Sequence, residues 1–204
     1  KIVVDEGELL QSGTTDNSRA TRYVNRVTNR ENLEASNAFF AELVREIHAR
    51  GMKVILDGVF NHCGSFNKWL DREKIYHANR GYEDGAFLSK ESPYRSFFGF
   101  RDENGWPDNT SYEGWWDYDT LPKLNYEGSE ELYDYILGIA AKWVSAPYYV
   151  DGWRLDVAAD LGHSSEFNHK FWRDFRKAVK TANPEALILA EHYGDSYDWL
   201  SGGE

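Results

Sequence analysis

The chain is poor in sulfur and has no long apolar run: its 204 residues include one cysteine and one methionine. A single cysteine, Cys63, excludes an internal disulfide and any metal site built from several cysteines. No stretch of about 18 apolar residues occurs, so we expect nothing in the printed sequence to cross a membrane. No signal-peptide pattern is visible either. We therefore expect a soluble protein, with the cytoplasm favoured over secretion and the compartment otherwise open.

Positive charge is also scarce, since 23 Lys and Arg face 34 Asp and Glu, giving a formal net charge of −11. This acidity argues against nucleic acid or an anionic membrane as a partner. Aromatic residues are abundant at 16%, and many lie in polar, glycine-rich stretches typical of loops. A large aromatic core is the simplest interpretation. Exposed rings beside carboxylates would also suit the apolar faces of sugars.

Helix and strand patterns alternate along most of the chain. Helices are predicted at about 33–50, from 129 onward and at about 165–182, and apolar strands at 53–60, 148–156 and 186–191, with a less clear strand at 1–4. The strand at 53–60 lacks alternation, which is typical of a strand covered on both faces of a parallel sheet. About 60 residues after it form a loop-rich insertion. This order predicts an α/β fold, either an open doubly wound sheet or a (β/α) barrel.

Polar side chains gather where the three main strands end. They are Asp57, His62, Arg154, Asp156, Glu191 and His192. The carboxyl ends of parallel strands share one edge, where the active sites of such folds lie. Strand alternation puts Arg154 and Asp156 on one side and Trp153 on the other. We therefore expect these polar groups to form one site.

The pairing of Arg154 with Asp156 has two interpretations. A guanidinium favours the ionised carboxylate and fixes its orientation, as a carboxylate nucleophile requires; a purely structural ion pair would look the same. Glu191 follows an apolar run, so we expect a drier environment that raises its pKa toward that of a general acid. Two such carboxyl groups about 5 to 5.5 Å apart would suit retaining glycoside hydrolysis.

Two other functions remain open at this point. A metal-dependent hydrolase would use oxygen and imidazole ligands from Asp57, His62, Asp156, Glu191 and His192. Against it, Arg154 would compete with a cation for Asp156, and no His-Glu-x-x-His spacing occurs. His62 fits a strand-end hydrogen bond as well as a substrate contact. A carbohydrate-binding module without chemistry is the second alternative, although a binder does not need these charged groups together.

Four blocks resemble those of the α-amylase family of glycoside hydrolases, family 13. They are DGVFNH at 57–62, LPKLN at 121–125, GWRLD at 152–156 and the strand ending at Glu191. The lysine in the second block is similar to that of the neopullulanase and cyclomaltodextrinase branch. The resemblance extends from about residue 33 to residue 193. Asp160 departs from it, because amylases proper commonly have histidine there, which leaves starch specificity and the usual calcium arrangement open.

The resemblance implies a role for several positions. Asp156 would be the nucleophile, Glu191 the acid/base, Arg154 the residue that positions Asp156, and Asp57 a supporting residue. Asn61 resembles a position that often binds structural calcium, and the chemistry itself would need no cofactor. The substrate would be an α-glucan oligosaccharide or polysaccharide, with expected contacts from His62, His192, Trp115, Trp116 and Asn125.

The resemblance also implies part of a (β/α)8 barrel, with a loop-rich domain B inserted after its third strand. We predict the first part of the barrel at 1–62, domain B at 63–125, and the barrel through its fifth strand at 126–204. A whole barrel takes about 250 residues. We therefore expect these residues alone to be inactive, and exposed barrel edges to favour self-association.

Overall fold

The computed structural model describes residues 19–77 and 81–201, and the strand considered at 1–4 lies outside them. Contacts divide the chain into two compact units. The loop unit contains the described residues of 19–40 and 63–123, and the sheet unit those of 41–62 and 124–201. The loop unit thus includes residues that we assigned to the barrel, and the predicted domain boundaries stay a prediction.

The sheet unit contains three short parallel strands in the order β1-β2-β3. They are β1 Ile55–Gly58, β2 Gly152–Leu155 and β3 Leu187–Ala190. The helices are α1 Thr21–Thr28, α2 Arg30–His48, α3 Glu130–Val144, α4 Ser165–Ala182 and α5 Tyr197–Ser201, of which α2 begins in the loop unit and ends in the sheet unit. The predicted α/β order with a parallel sheet is confirmed, although each strand is shorter than its apolar run.

Side-chain caps fix where two of the helices begin. The Ser129 hydroxyl accepts the Leu132 N–H ahead of α3, and the Ser164 hydroxyl accepts the Phe167 N–H ahead of α4. Each cap satisfies an N–H that has no partner within its helix. At the far end of α2, Gly51 has φ +72°, a left-handed conformation that glycine adopts without a steric penalty.

One face of the sheet forms a core and the other is open. Trp153 and Leu155 are 4% and 2% exposed. The ring centroids of Trp153 and Phe175 of α4 lie 6.3 Å apart. On the opposite face Ile55 and Leu189 are 39% and 54% exposed. The prediction that the first strand is covered on both faces is therefore wrong. Ile55 lies on the same face as Asp57, because strand side chains alternate, and that face carries the polar site.

The segment 63–123 of the loop unit has little regular structure. Short 3-10 turns form at Arg95–Phe97 and Trp115–Asp117, and isolated antiparallel bridges join Phe100 to Tyr112 and Gly114 to Pro122. Its core is largely aromatic, with Phe98 fully buried. Across residues 19–77 and 81–201, no helix has both the length and the apolar character needed to span a membrane.

Candidate active site

The register of the sheet brings four charged side chains to its carboxyl edge. Asp57 of β1 lies directly beside Arg154 of β2. Asp156 and Glu191 follow β2 and β3 at once, and their N–H groups extend the ladder to Gly58 O at 3.0 Å and Leu155 O at 2.9 Å. The two carboxylates therefore take positions set by strand pairing.

Arg154 is the centre of this group. Its Nη1 lies 2.8 Å from Asp57 Oδ1 and 2.7 Å from Asp156 Oδ1, and its Nη2 lies 2.8 Å from Glu191 Oε2. Hydrogen bonds to Asp57 and then to Asp156 raise the pKa of Arg154. The side chains of Asp156 and Glu191 are each 22% exposed, so the group remains accessible from solvent. One guanidinium thus orients three carboxylates.

The surroundings of Glu191 are more polar than the sequence predicts. The Tyr193 hydroxyl donates to Glu191 Oε1 at 2.5 Å, and the Val157 N–H donates to Oε2 at 3.0 Å. These bonds, with the charge of Arg154, lower the pKa of Glu191. The expected rise in its pKa is therefore wrong for this structure. The apolar residues of β3 do not exclude water from Glu191, because Leu187 and Leu189 are themselves half exposed.

Sequence reasoning missed the Tyr193 and Val157 donors to Glu191. Tyr193 had a usable signal, because it stands two residues beyond Glu191 and carries a hydroxyl. Val157 had none, since its contribution is a backbone N–H. That N–H is aimed by a left-handed conformation, φ 39° and ψ 48°, which a valine does not indicate in a sequence.

The other predicted site residues of the sheet unit occupy defined places. His62 is 8% exposed, and its Nδ1 lies 3.1 Å from the side-chain nitrogen of Asn61. His192 Nε2 lies 3.0 Å from the Asp195 carbonyl, beside a largely apolar cavity of about 320 Å³. The Asn125 side-chain oxygen accepts the Gly128 N–H at 3.1 Å. Substrate contacts by these residues stay a prediction.

Trp115 and Trp116 belong to the loop unit. Their rings are 5.1 Å apart at 30°, and Trp116 is 75% exposed. Trp116 has φ 53° and Asp117 has φ 59°, so two consecutive residues take the left-handed conformation. The Trp115 N–H donates to Leu121 O at 2.9 Å, which closes the turn. The turn presents one indole face to solvent.

Comparison with known proteins places this chain in a family. The family model described as "Alpha amylase, catalytic domain" matches residues 35–201. The chain belongs to the α-amylase family. It is 37% identical over 168 residues to a cyclomaltodextrinase of Thermoanaerobacter pseudethanolicus, covering 80% of this chain and 25% of that protein. It is 35% identical over 167 residues to neopullulanase 2 of Thermoactinomyces vulgaris, covering 81% and 25%.

A solved structure of this family agrees with the fold. The debranching enzyme of Nostoc punctiforme is 34% identical with a TM-score of 0.61, and the match covers 81% of this chain and 31% of that one. The predicted fold class is confirmed, and β1 to β3 are part of the α-amylase barrel. The chain spans about a quarter of the length of the curated relatives that it matches.

The described residues do not reveal a group of ligands for the calcium ion that the resemblance implies near Asn61. Among residues 19–77 and 81–201, no three His, Cys, Asp or Glu side chains come together as a group that could hold a metal ion. The amide nitrogen of Asn61 is directed to His62. Calcium at Asn61 stays a prediction, and the metal-hydrolase alternative gains no support from these donors.

Proposed function

We propose that this chain carries the nucleophile and the acid/base of a retaining α-glucan hydrolase. The observation that carries the proposal is the contact of Arg154 with Asp57, Asp156 and Glu191 at the carboxyl edge of the sheet. A structural ion pair needs one carboxylate, whereas two-step glycoside hydrolysis needs two that are held close together. Membership in the α-amylase family supports the same reaction.

In the first step, an oxygen of Asp156 attacks the anomeric carbon while Glu191 protonates the departing glycosidic oxygen. The bond from the sugar to the leaving group breaks, and a covalent glycosyl ester of Asp156 forms. In the second step, Glu191 takes a proton from water as the water oxygen attacks the same carbon, which releases Asp156. The configuration at that carbon is retained, because it is inverted twice.

Arg154 positions the proposed nucleophile, and other donors act on the proposed acid/base. At Asp156 it holds the oxygen that attacks and balances its negative charge. At Glu191, the bonds from Tyr193 and Val157 favour the ionised form, which is the form that accepts a proton from water. Entry of a sugar that displaces the Tyr193 hydroxyl would favour the protonated form, which the first step needs.

The substrate class follows from the relatives and the aromatic turn. A cyclomaltodextrinase and a neopullulanase are among the similar proteins, so we propose cyclic or linear α-glucans. The exposed indole of Trp116 offers an apolar face to a pyranose ring. His62, His192, Trp115 and Asn125 are proposed as further substrate contacts. No cofactor is proposed for the chemistry, and a calcium ion at Asn61 would have a structural role only.

We also propose that these 204 residues have no hydrolase activity by themselves. The match covers about a quarter of the relatives, and the sheet face that carries the site also exposes apolar side chains such as Leu187 and Leu189. Such a face favours contact with further chain or with a second copy. The activity therefore belongs to the full-length protein that carries this chain.

The test is hydrolysis of maltooligosaccharides and cyclodextrins by the full-length protein. Asp156→Asn and Glu191→Gln should each lower kcat by at least about 10²-fold. The first removes the group that forms the covalent bond to the sugar, and the second removes the group that transfers the proton. Glu185→Gln is the matched control, since Glu185 is exposed just before the amino end of β3. NMR of the first product should show the α-anomer.

Full activity in Asp156→Asn, or a β-anomer as first product, would contradict the proposal. Binding of the sugar without any product by the unaltered protein would favour the carbohydrate-binding alternative.

A further inference from the structure

The residue after the proposed nucleophile has a costly backbone conformation. Val157 has φ 39° and ψ 48° and is 7% exposed. A β-branched residue with positive φ is a genuine outlier, because its Cβ crowds the neighbouring carbonyl oxygen. Such outliers persist only when the surrounding structure holds them. The Val157 N–H donates to Glu191 Oε2 at 3.0 Å, so this conformation aims a donor at the proposed acid/base.

Asn168 of α4 holds the turn that follows Val157. Its side chain accepts the Gly162 N–H at 2.5 Å and donates to the Ala159 carbonyl at 2.8 Å. Asn168 is 4% exposed, so the side chain that makes both bonds is buried. Trp172, one helical turn further along α4, donates its indole N–H to Ala158 O at 2.8 Å. The helix thus fixes the turn at three backbone atoms.

Gly162 makes this close approach possible. A Cβ at this position would lie 2.5 Å from a Phe167 ring carbon and 2.8 Å from Asn168 Oδ1. Both separations are shorter than van der Waals contact. The turn is therefore shaped to accept the side chain of Asn168.

We propose that Asn168 is a positioning residue for Glu191. By fixing Ala159 and Gly162 it keeps Val157 left-handed, and the Val157 N–H then holds the Glu191 carboxylate. The inference deepens the proposed function and rests on it for the role of Glu191 as acid/base. The hydrogen-bond chain itself does not depend on that role.

Other groups also act on Glu191, and the test must separate them from Val157. Arg154 and Asp156 face it from β2 and the residue that follows, and the Tyr193 hydroxyl faces it from its own segment. All three keep their positions if only the turn after Val157 relaxes. Loss of the Val157 bond should raise the pKa of Glu191, because that bond stabilises the ionised form.

The experiment is an NMR titration of this protein that follows the Glu191 side-chain carboxyl carbon and the Val157 amide. In the unaltered protein, the amide shift should titrate together with Glu191. In Asn168→Ala that coupling should disappear and the pKa of Glu191 should move upward. Asn183→Ala is the matched control, because Asn183 caps the far end of α4 with bonds to Val144 O at 3.3 Å and Glu185 N at 3.1 Å. It should leave both signals unchanged.

Two further variants keep the inference open to refutation if Asn168→Ala does not fold. Asn168→Asp retains an acceptor for Gly162 but sets a carboxylate oxygen against the Ala159 carbonyl, so it should also release the turn and raise the pKa of Glu191. An amide-to-ester replacement at Val157 removes only the N–H and should raise the pKa of Glu191 directly. An unchanged pKa in the ester, or in both Asn168 variants, overturns the inference. Full activity in Asp156→Asn together with a shifted Glu191 pKa in Asn168→Ala would refute the proposed function alone.

Discussion

Two groups of acidic side chains, one in each unit, are held in opposite ways. In the sheet unit, Asp57, Asp156 and Glu191 surround the guanidinium of Arg154, and their side chains are 61%, 22% and 22% exposed. In the loop unit, Asp71 is fully buried and Glu73 is 7% exposed. Burial raises the pKa of both of these carboxyl groups. The three carboxylates at the proposed site share one cation, whereas Asp71 and Glu73 are buried in a loop-rich unit whose exposed acids, such as Asp108 with Lys74, form ion pairs of their own.

Asp71 and Glu73 are themselves unequal. The Asp71 carboxylate accepts the N–H groups of Ile75, Tyr76 and His77 at 2.7 to 3.2 Å. Glu73 accepts the Ser65 hydroxyl at 2.7 Å on one oxygen, while its other oxygen has no hydrogen-bond partner within the described residues. Asp71 therefore replaces the hydrogen bonds that a helix or sheet would give to these N–H groups. Glu73 carries an uncompensated burial cost.

The largest expected change in stability is at Asp71. Asp71→Asn places an amide NH2 against backbone N–H donors, so at least one buried hydrogen bond to a charged group becomes a repulsion. We expect the free energy of unfolding to fall by about 2 to 3 kcal/mol. Urea unfolding followed by tryptophan fluorescence measures this. Asp108→Asn is the control in the same unit, because Asp108 makes an exposed ion pair with Lys74 at 2.7 Å, and it should cost less than about 1 kcal/mol. Equal losses in both variants would contradict the role given to Asp71.

The sequence predicted what depends on local pattern. The helices that begin near residues 129 and 165, the parallel strands, and the gathering of Arg154 and Asp156 at one edge all follow from periodicity and alternation. The lowered pKa of Glu191 did not follow, because it depends on Val157 and Tyr193 and on exposure of β3. The turn around Asp71 was equally hidden, since one aspartate in a long loop does not indicate which N–H groups it will accept.

Substitution of Glu73 should change the free energy of unfolding by a smaller amount, and the change should grow with pH. The folded pKa of Glu73 lies above its unfolded value, so the folded state binds the proton more tightly, and the stability from this group is present at low pH. It is lost as pH rises from about 4.3, the ordinary glutamate value, through the folded pKa. Glu73→Gln cannot ionise. We expect the stability of this variant to depend less on pH. Above neutrality its free energy of unfolding should exceed that of the unaltered protein by about 1 kcal/mol.

Urea midpoints at pH 4.5, 6 and 8 test this prediction for Glu73. Asp71 titrates nearby and its pKa is also raised, so the informative quantity is the difference between Glu73→Gln and the unaltered protein at each pH. Parallel pH curves for the two proteins would show that the unpartnered oxygen carries no burial cost.

The smallest change is expected in the sheet unit, where Asp57→Asn matches the substitution at Asp71. Asp57 is 61% exposed, and its Oδ1 accepts from Arg154 at 2.8 Å; an asparagine oxygen can still accept that bond. We expect a loss of about 0.5 kcal/mol or less, because exposed ion pairs contribute little to stability. Arg154 would keep Asp156 and Glu191, so its two contacts at the proposed site would persist. A loss as large as that of Asp71→Asn would mean that the carboxylates around Arg154 stabilise the fold, and the contrast between an accessible reactive cluster and a buried structural one would fail.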